Sequence, residues 1–142
     1  MKVLRFYFCY GRNRGGGTEQ MKGLVVSSDD EVRRELAEML RQRGLAPVLA
    51  STVAESRMRL SGSHVQIVIC EDWLGDGKYD AVVRITNQTN AGAPVIIFSR
   101  TGDWLEYLTA MRTGVFAYLA YPPLPGEFER TLQNALRECG SR

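Results

Sequence analysis

The chain has 142 residues, 44% hydrophobic and 24% charged, which fits one globular domain able to bury its own core and excludes a disordered segment. No apolar run approaches the ~20 residues of a membrane-spanning helix, and the opening MKVLRFYFCY followed by GRNRGGG lacks the features of a secretory signal. Three separated cysteines (Cys9, Cys70, Cys139) and a single histidine, His64, exclude a disulfide framework, a zinc spacing and an ordinary Ser-His-Asp scheme, and suit a reducing cytoplasm.

The net charge of +2 is uneven. Residues 1–21 hold Lys2, Arg5, Arg12 and Arg14 against Glu19, or +3, and the rest of the chain holds 14 basic and 15 acidic residues, or −1. Attraction to a polyanion is therefore confined to a basic, Gly-rich N-terminal arm, and the body has no nucleic-acid-binding surface on charge grounds. The arm reads either as a floppy extension or as sequence upstream of a natural start at Met21. Its Gly11–Thr18 stretch nearly matches a phosphate-binding loop. Gly17 stands where the lysine belongs, however, and TEQMK leads into a strand instead of a helix.

From residue 23 short apolar runs alternate with amphipathic stretches. Leu24–Val26, Pro47–Ala50, Val65–Cys70, Pro94–Phe98 and Val115–Leu119 read as strands buried on both faces. The first helix takes its stripe from Val32, Leu36, Met39 and Leu40, with a Ser28–Glu31 capping box at its start and Gly44 at its stop. Weaker periods at Val53–Leu60 (capped by Thr52 with Glu55) and Tyr79–Gln88 give the second and third helices. Trp104, Leu108 and Met111 stripe the fourth, which Gly114 ends. Phe128, Leu132, Ala135 and Leu136 stripe the last, with Pro125 near its first turn. The pattern predicts one α/β domain at 22–139 followed by a tail at 140–142. Its fold is a doubly wound (βα)5 unit with a five-stranded parallel sheet in the order 2-1-3-4-5 and helices on both faces.

Ligands gather beyond the C-terminal ends of the strands in such sheets. There the chain places Ser27-Ser28-Asp29-Asp30, Glu71-Asp72-Trp73-Leu74-Gly75-Asp76-Gly77, Ser99-Arg100 and Tyr121-Pro122-Pro123. With LVVSSDDEVRRELAEMLRQRGL, IVICEDWLGDG and GVFAYLAYPPL in order, residues 22–139 resemble the receiver domain of bacterial response regulators, a flavodoxin-like family of the chemotaxis-receiver type. In that family an aspartate ending the third strand accepts a phosphoryl group, and two acidic residues after the first strand hold Mg²⁺. A Thr or Ser ends the fourth strand and is coupled to an aromatic residue, and a lysine precedes a proline after the fifth strand.

Carried over by position, the resemblance implies a degenerate site. The acceptor position is Glu71, with Asp72 as the alternative if the strand register shifts by one. The acidic pair falls on Ser27 and Ser28, with Asp29 third, and the lysine position is Tyr121. The switch pair survives as Ser99 and Tyr118. Two neutral serines cannot hold Mg²⁺ against its water shell, so no metal or other cofactor is expected. Arg100 has two open readings: folded inward as an ion-pair partner of Glu71, or outward in solvent with Glu71 merely solvated.

Asp76 is expected to stabilise its own Gly-Asp-Gly turn, Cys70 to be core and His64 to be exposed. Trp73 and Trp104 are expected either to shield the site or to meet a partner. The implied function is that of a stand-alone, cytoplasmic, non-enzymatic pseudo-receiver of a bacterial two-component phosphorelay, working by protein contact. Its partner would be a kinase, an output protein or another regulatory protein. The contact face would comprise the fourth helix, fifth strand and fifth helix, with Tyr107, Met111, Tyr118 and the surroundings of Phe128, Phe128 itself facing the core. A homodimer through that face is allowed, and no membrane is involved. The alternatives are a receiver that still accepts phosphate and a small nucleotide-binding α/β domain.

Overall fold

The computed structural model describes residues 20–140, with side chains to Glu138. The basic arm and its near-phosphate loop, Cys9 and the side chain of Cys139 therefore lie outside the described residues. The elements are β1 (Lys22–Val26), α1 (Asp30–Gln42), β2 (Ala46–Ala50), α2 (Val53–Gly62), β3 (Ile67–Glu71), α3 (Tyr79–Thr89), β4 (Val95–Ser99), α4 (Trp104–Arg112), β5 (Ala117–Ala120) and α5 (Glu127–Gly140). All strand pairs of the main sheet are parallel, and its order is β2-β1-β3-β4-β5, as the alternation of elements predicts. A small antiparallel ribbon, Trp73–Leu74 against Gly77–Lys78, follows β3. Among the described residues no helix is long and apolar enough to cross a membrane.

Side chains of β3 alternate between two cores, because successive strand residues point to opposite faces. Ile67 and Ile69 join Val25, Ile96 and Phe98 against Leu36 and Leu40 of α1 and Phe128, Leu132 and Ala135 of α5. Val68 and Cys70 join Leu24, Val26 and Ile97 against α2, α3 and α4. Leu132 is fully buried, and cutting such a side chain to alanine typically costs about 2–5 kcal/mol. Buried Asn90 ties the far end together: its Oδ1 accepts from Val65 N at 3.0 Å and its Nδ2 donates to Leu60 O at 3.1 Å.

Four local expectations need correction. The edge strands β2 and β5 are mostly half-buried, since each has a neighbour on one side only. The Trp104–Leu108 stripe of α4 faces solvent, with Trp104 67% exposed, whereas Ala110 is the buried residue of that helix and Met111 packs partly against the core. The α1 cap is Asp29 instead of Ser28: its carboxylate accepts from Glu31 N and Val32 N. His64 is half-buried instead of exposed. Gly44, at φ +82°, occupies the left-handed position that ends α1 and that a Cβ would disfavour.

Candidate functional site

Because β1 and β3 are adjacent and in register at Val26 and Cys70, their next residues, Ser27 and Glu71, meet at the C-terminal edge of the sheet. One carboxylate oxygen of Glu71 accepts three donors: Ser27 Oγ at 3.0 Å, Ser28 N at 3.2 Å and Ser28 Oγ at 3.4 Å. Ser27 is fully buried, and its Oγ in turn accepts from Asp29 N at 3.1 Å. The two serines thus spend their hydroxyls on the glutamate itself.

Asp29 stands at the outer rim of this cluster. Its Oδ1 caps α1 and its Oδ2 accepts from Arg100 Nη2 at 2.8 Å, joining the loop after β1 to the loop after β4. Arg100 therefore takes neither expected position: it pairs with Asp29, and Glu71 acts on it only as a nearby charge. The guanidinium, then the amides of Val32 and Glu31, hold the Asp29 carboxyl below the usual carboxylate range.

Asp72 lies on the opposite side of the strand from Glu71. The alternation that puts Cys70 in the second core puts Asp72 on that face too, where it is buried near Tyr79 and Tyr118. Glu71, not Asp72, shares the pocket with the loop after β1. Burial pushes the Cys70 thiol well above its ordinary pKa, which suits a core residue and not a reactive one.

Ser99, the last residue of β4, and Tyr118 of β5 come together beside Gly102. Ser99 is buried, and its Oγ accepts from Thr101 N at 3.2 Å. The Tyr118 hydroxyl is turned inward and shielded from solvent. Burial raises its pKa, and the neighbouring Ser99 hydroxyl lowers it. Gly102 makes room for this placement, since a Cβ there would fall 2.0 Å from Tyr118 Oη and 2.9 Å from Ser99 Oγ. From Tyr118 an aromatic series runs outward. Tyr107 meets it edge-on at 6.1 Å between ring centroids, and exposed Trp104 stacks on Tyr107 at 5.3 Å.

Tyr121 turns its hydroxyl away from Glu71, donating it to Glu35 of α1, while its ring packs against Phe98 at 5.3 Å. Burial and then Glu35 push its pKa well up, so the position carries no charge at neutral pH.

The residues that sequence reasoning missed or misplaced make contacts across the chain. Asp76 does more than brace its own turn: it accepts from Val53 N at 2.8 Å and Ala54 N at 3.0 Å, capping α2 from the ribbon. Lys78 lies over the rings of Trp73 (4.9 Å) and Tyr79 (5.5 Å) and reaches Glu106 of α4 at 3.7 Å. Arg33 donates to the backbone carbonyl of Ser27 and pairs with Asp30. Only Arg33 had a local signal, its i+3 spacing from Asp30.

No family model matches the chain. Among curated proteins it is 27% identical to a putative NtrX-like response regulator of Rickettsia felis, over 72% of this chain and 22% of that protein. It is 26% identical to the photosynthetic apparatus regulatory protein RegA of Rhodovulum sulfidophilum, over 70% of this chain and 54% of that one. The chain thus spans about a fifth of the NtrX-like relative and about half of RegA. Among solved structures, a CheY-like receiver domain from Methanospirillum hungatei matches with a TM-score of 0.79 at 15% identity, covering 87% of this chain and 98% of that one. The fold is that of a response-regulator receiver. The beryllofluoride-activated receiver-domain dimer of NtrC4 matches it at a TM-score of 0.76 and 20% identity, over 83% of this chain and 98% of that one.

The divalent cation of the receiver family would sit between the loop after β1 and the end of β3, and the donors here do not fit it. Ser27 and Ser28 are neutral and already hydrogen-bonded to Glu71, and Asp29 is engaged as a helix cap and by Arg100. Among the described residues no group of three or more His, Cys, Asp or Glu could hold a metal ion.

Proposed function

We propose that this receiver-type domain serves two-component signal transduction in the cytoplasm by contacting proteins, without itself accepting a phosphoryl group or catalysing a reaction. The observation that carries the reading is the closed cluster at Glu71. A carboxylate accepting three donors from Ser27 and Ser28 occupies the acceptor position, while the lysine position is a neutral tyrosine turned toward Glu35. Phosphoryl transfer rests on positioned cations that offset the charge of the transferred group, and the residues at these positions supply none. The contact face is that of α4, β5 and α5. Trp104 and Leu105 are 67% and 72% exposed and Trp104 stacks on Tyr107, so a partner on α4 would touch a residue linked through Tyr107 to Tyr118. A kinase, an output protein, another regulatory protein or a second copy of the chain suits such a face.

The test is incubation with Mg²⁺ and a small-molecule phosphodonor, following Trp73 fluorescence and then intact mass. The reading expects no quenching and no phosphoryl adduct. A stoichiometric, hydroxylamine-labile adduct on Glu71 or Asp72 would overturn it in favour of a working receiver.

A further inference from the structure

A groove lies between α1 and the segment joining β5 to α5, and Tyr121 at its edge borders the Asp29–Arg100 pair. Its floor is apolar, formed by Met39 and the Pro122–Pro125 stretch, where Leu124 is 71% exposed, and its rim is acidic, formed by Glu35, Glu38 and Glu129. Among the described residues its lining holds no lysine or arginine, and the guanidinium of Arg130 stands beside Gly126. Glu38 also meets Arg41 at 3.4 Å, but both side chains are more than half exposed, so that pair is weak. The lower end of the groove is Gln42. Two residues further on, Gly44 O accepts from the Gln20 side chain at 3.2 Å, which places Gln20 beside that end.

That preceding segment has the complementary chemistry. Residues 1–10, MKVLRFYFCY, combine apolar and aromatic side chains with Lys2 and Arg5, and a Gly- and Arg-rich stretch separates them from Gln20. Nineteen residues span up to about 60 Å when extended, which exceeds the length of any groove on a domain of this size. A tethered segment also meets its own groove at an effective concentration in the ~mM range. We propose that the α1–α5 groove is the docking site of the chain's own N-terminal arm, with the aromatic residues on the apolar floor and Lys2 and Arg5 against the glutamates.

Cys9 supplies the test in the 142-residue chain. With Cys139→Ser removing the competing thiol and Cys70 buried, a second cysteine is placed in the groove by Leu124→Cys or, as a control, on the other face of the sheet by Met58→Cys. Both positions are 71% exposed, so neither change disturbs the core. Under mild oxidation the intramolecular disulfide with Cys9 is expected to form about tenfold faster in the L124C protein than in the M58C protein. Adding Glu38→Lys and Glu129→Lys should erase most of that ratio. Equal rates at the two positions, a disulfide joining two molecules, or a ratio indifferent to the charge reversal would each overturn the proposal.

Discussion

On one side of β3, the loop after β1 folds onto Glu71 through three donors and is tied outward by the Asp29–Arg100 pair. On the other side, Ser99 and Tyr118 share a pocket in which the tyrosine is held by shape, with Gly102 leaving the space its hydroxyl fills. The first region is built from side chains that satisfy one another. The second depends on steric fit. A hydrogen-bonded cluster resists the loss of any member because the remaining buried groups lose partners. A shape-held tyrosine can leave its seat once the space is filled or a partner offers a better one.

That contrast can be broken at either end. The largest effect is expected from Gly102→Ala, whose Cβ collides with Tyr118 Oη. The variant should lose about 2 kcal/mol in urea unfolding and should expel the ring, seen as a change in the Tyr118 aromatic NMR signals. Signals that stay put would show that Tyr118 is not held by fit. Next comes Ser27→Val, which withdraws a buried donor from Glu71 and an acceptor from Asp29 N. It should cost about 1–2 kcal/mol and leave the Tyr118 signals where they were; if they move, the two regions are coupled.

The smallest effect tests charge alone. Asp29 has a folded pKa below its unfolded value, so the folded state binds its proton less readily. Its stabilisation is present above the ordinary carboxylate pKa of about 4 and is lost as pH falls through the lowered folded value. Asparagine caps helices about as well as aspartate. Asp29→Asn should therefore leave helix content unchanged at neutral pH and reduce the decline of the urea midpoint on acidification. An unaltered acid profile would assign the decline to other lowered carboxylates, such as Glu55 and Asp76.

The order of strands was legible in the sequence because five apolar runs separated by helical periods leave few parallel topologies. The α1 and α5 stripes were legible because Leu36, Leu40, Phe128 and Leu132 recur at helical spacing and face one core. The α4 stripe misled, since Trp104 and Leu108 obey the same period while facing outward. Period identifies a face without saying what covers it. The α1 cap was misread because Ser28 and Asp29 are both good capping residues, and only the third dimension gives Ser28 to Glu71. The residues at the strand ends could be named in advance, but their partners could not. Arg100 meets Asp29 across 71 residues and Tyr121 meets Glu35 across 86, and nothing in local spacing encodes such distances.

The ribbon after β3 has a mechanical consequence. Through Asp76 it grips the start of α2, and through Lys78 it holds Glu106 on α4, so two helices flanking one face of the sheet are laced to a single six-residue strap. A protein that pulled α4 outward by Trp104 would load that strap first at the Lys78–Glu106 end, a single 3.7 Å ion pair, while the Asp76 end is anchored by two backbone amides. The strap has a strong knot and a weak one, and the weak one ends on the helix that carries exposed Trp104.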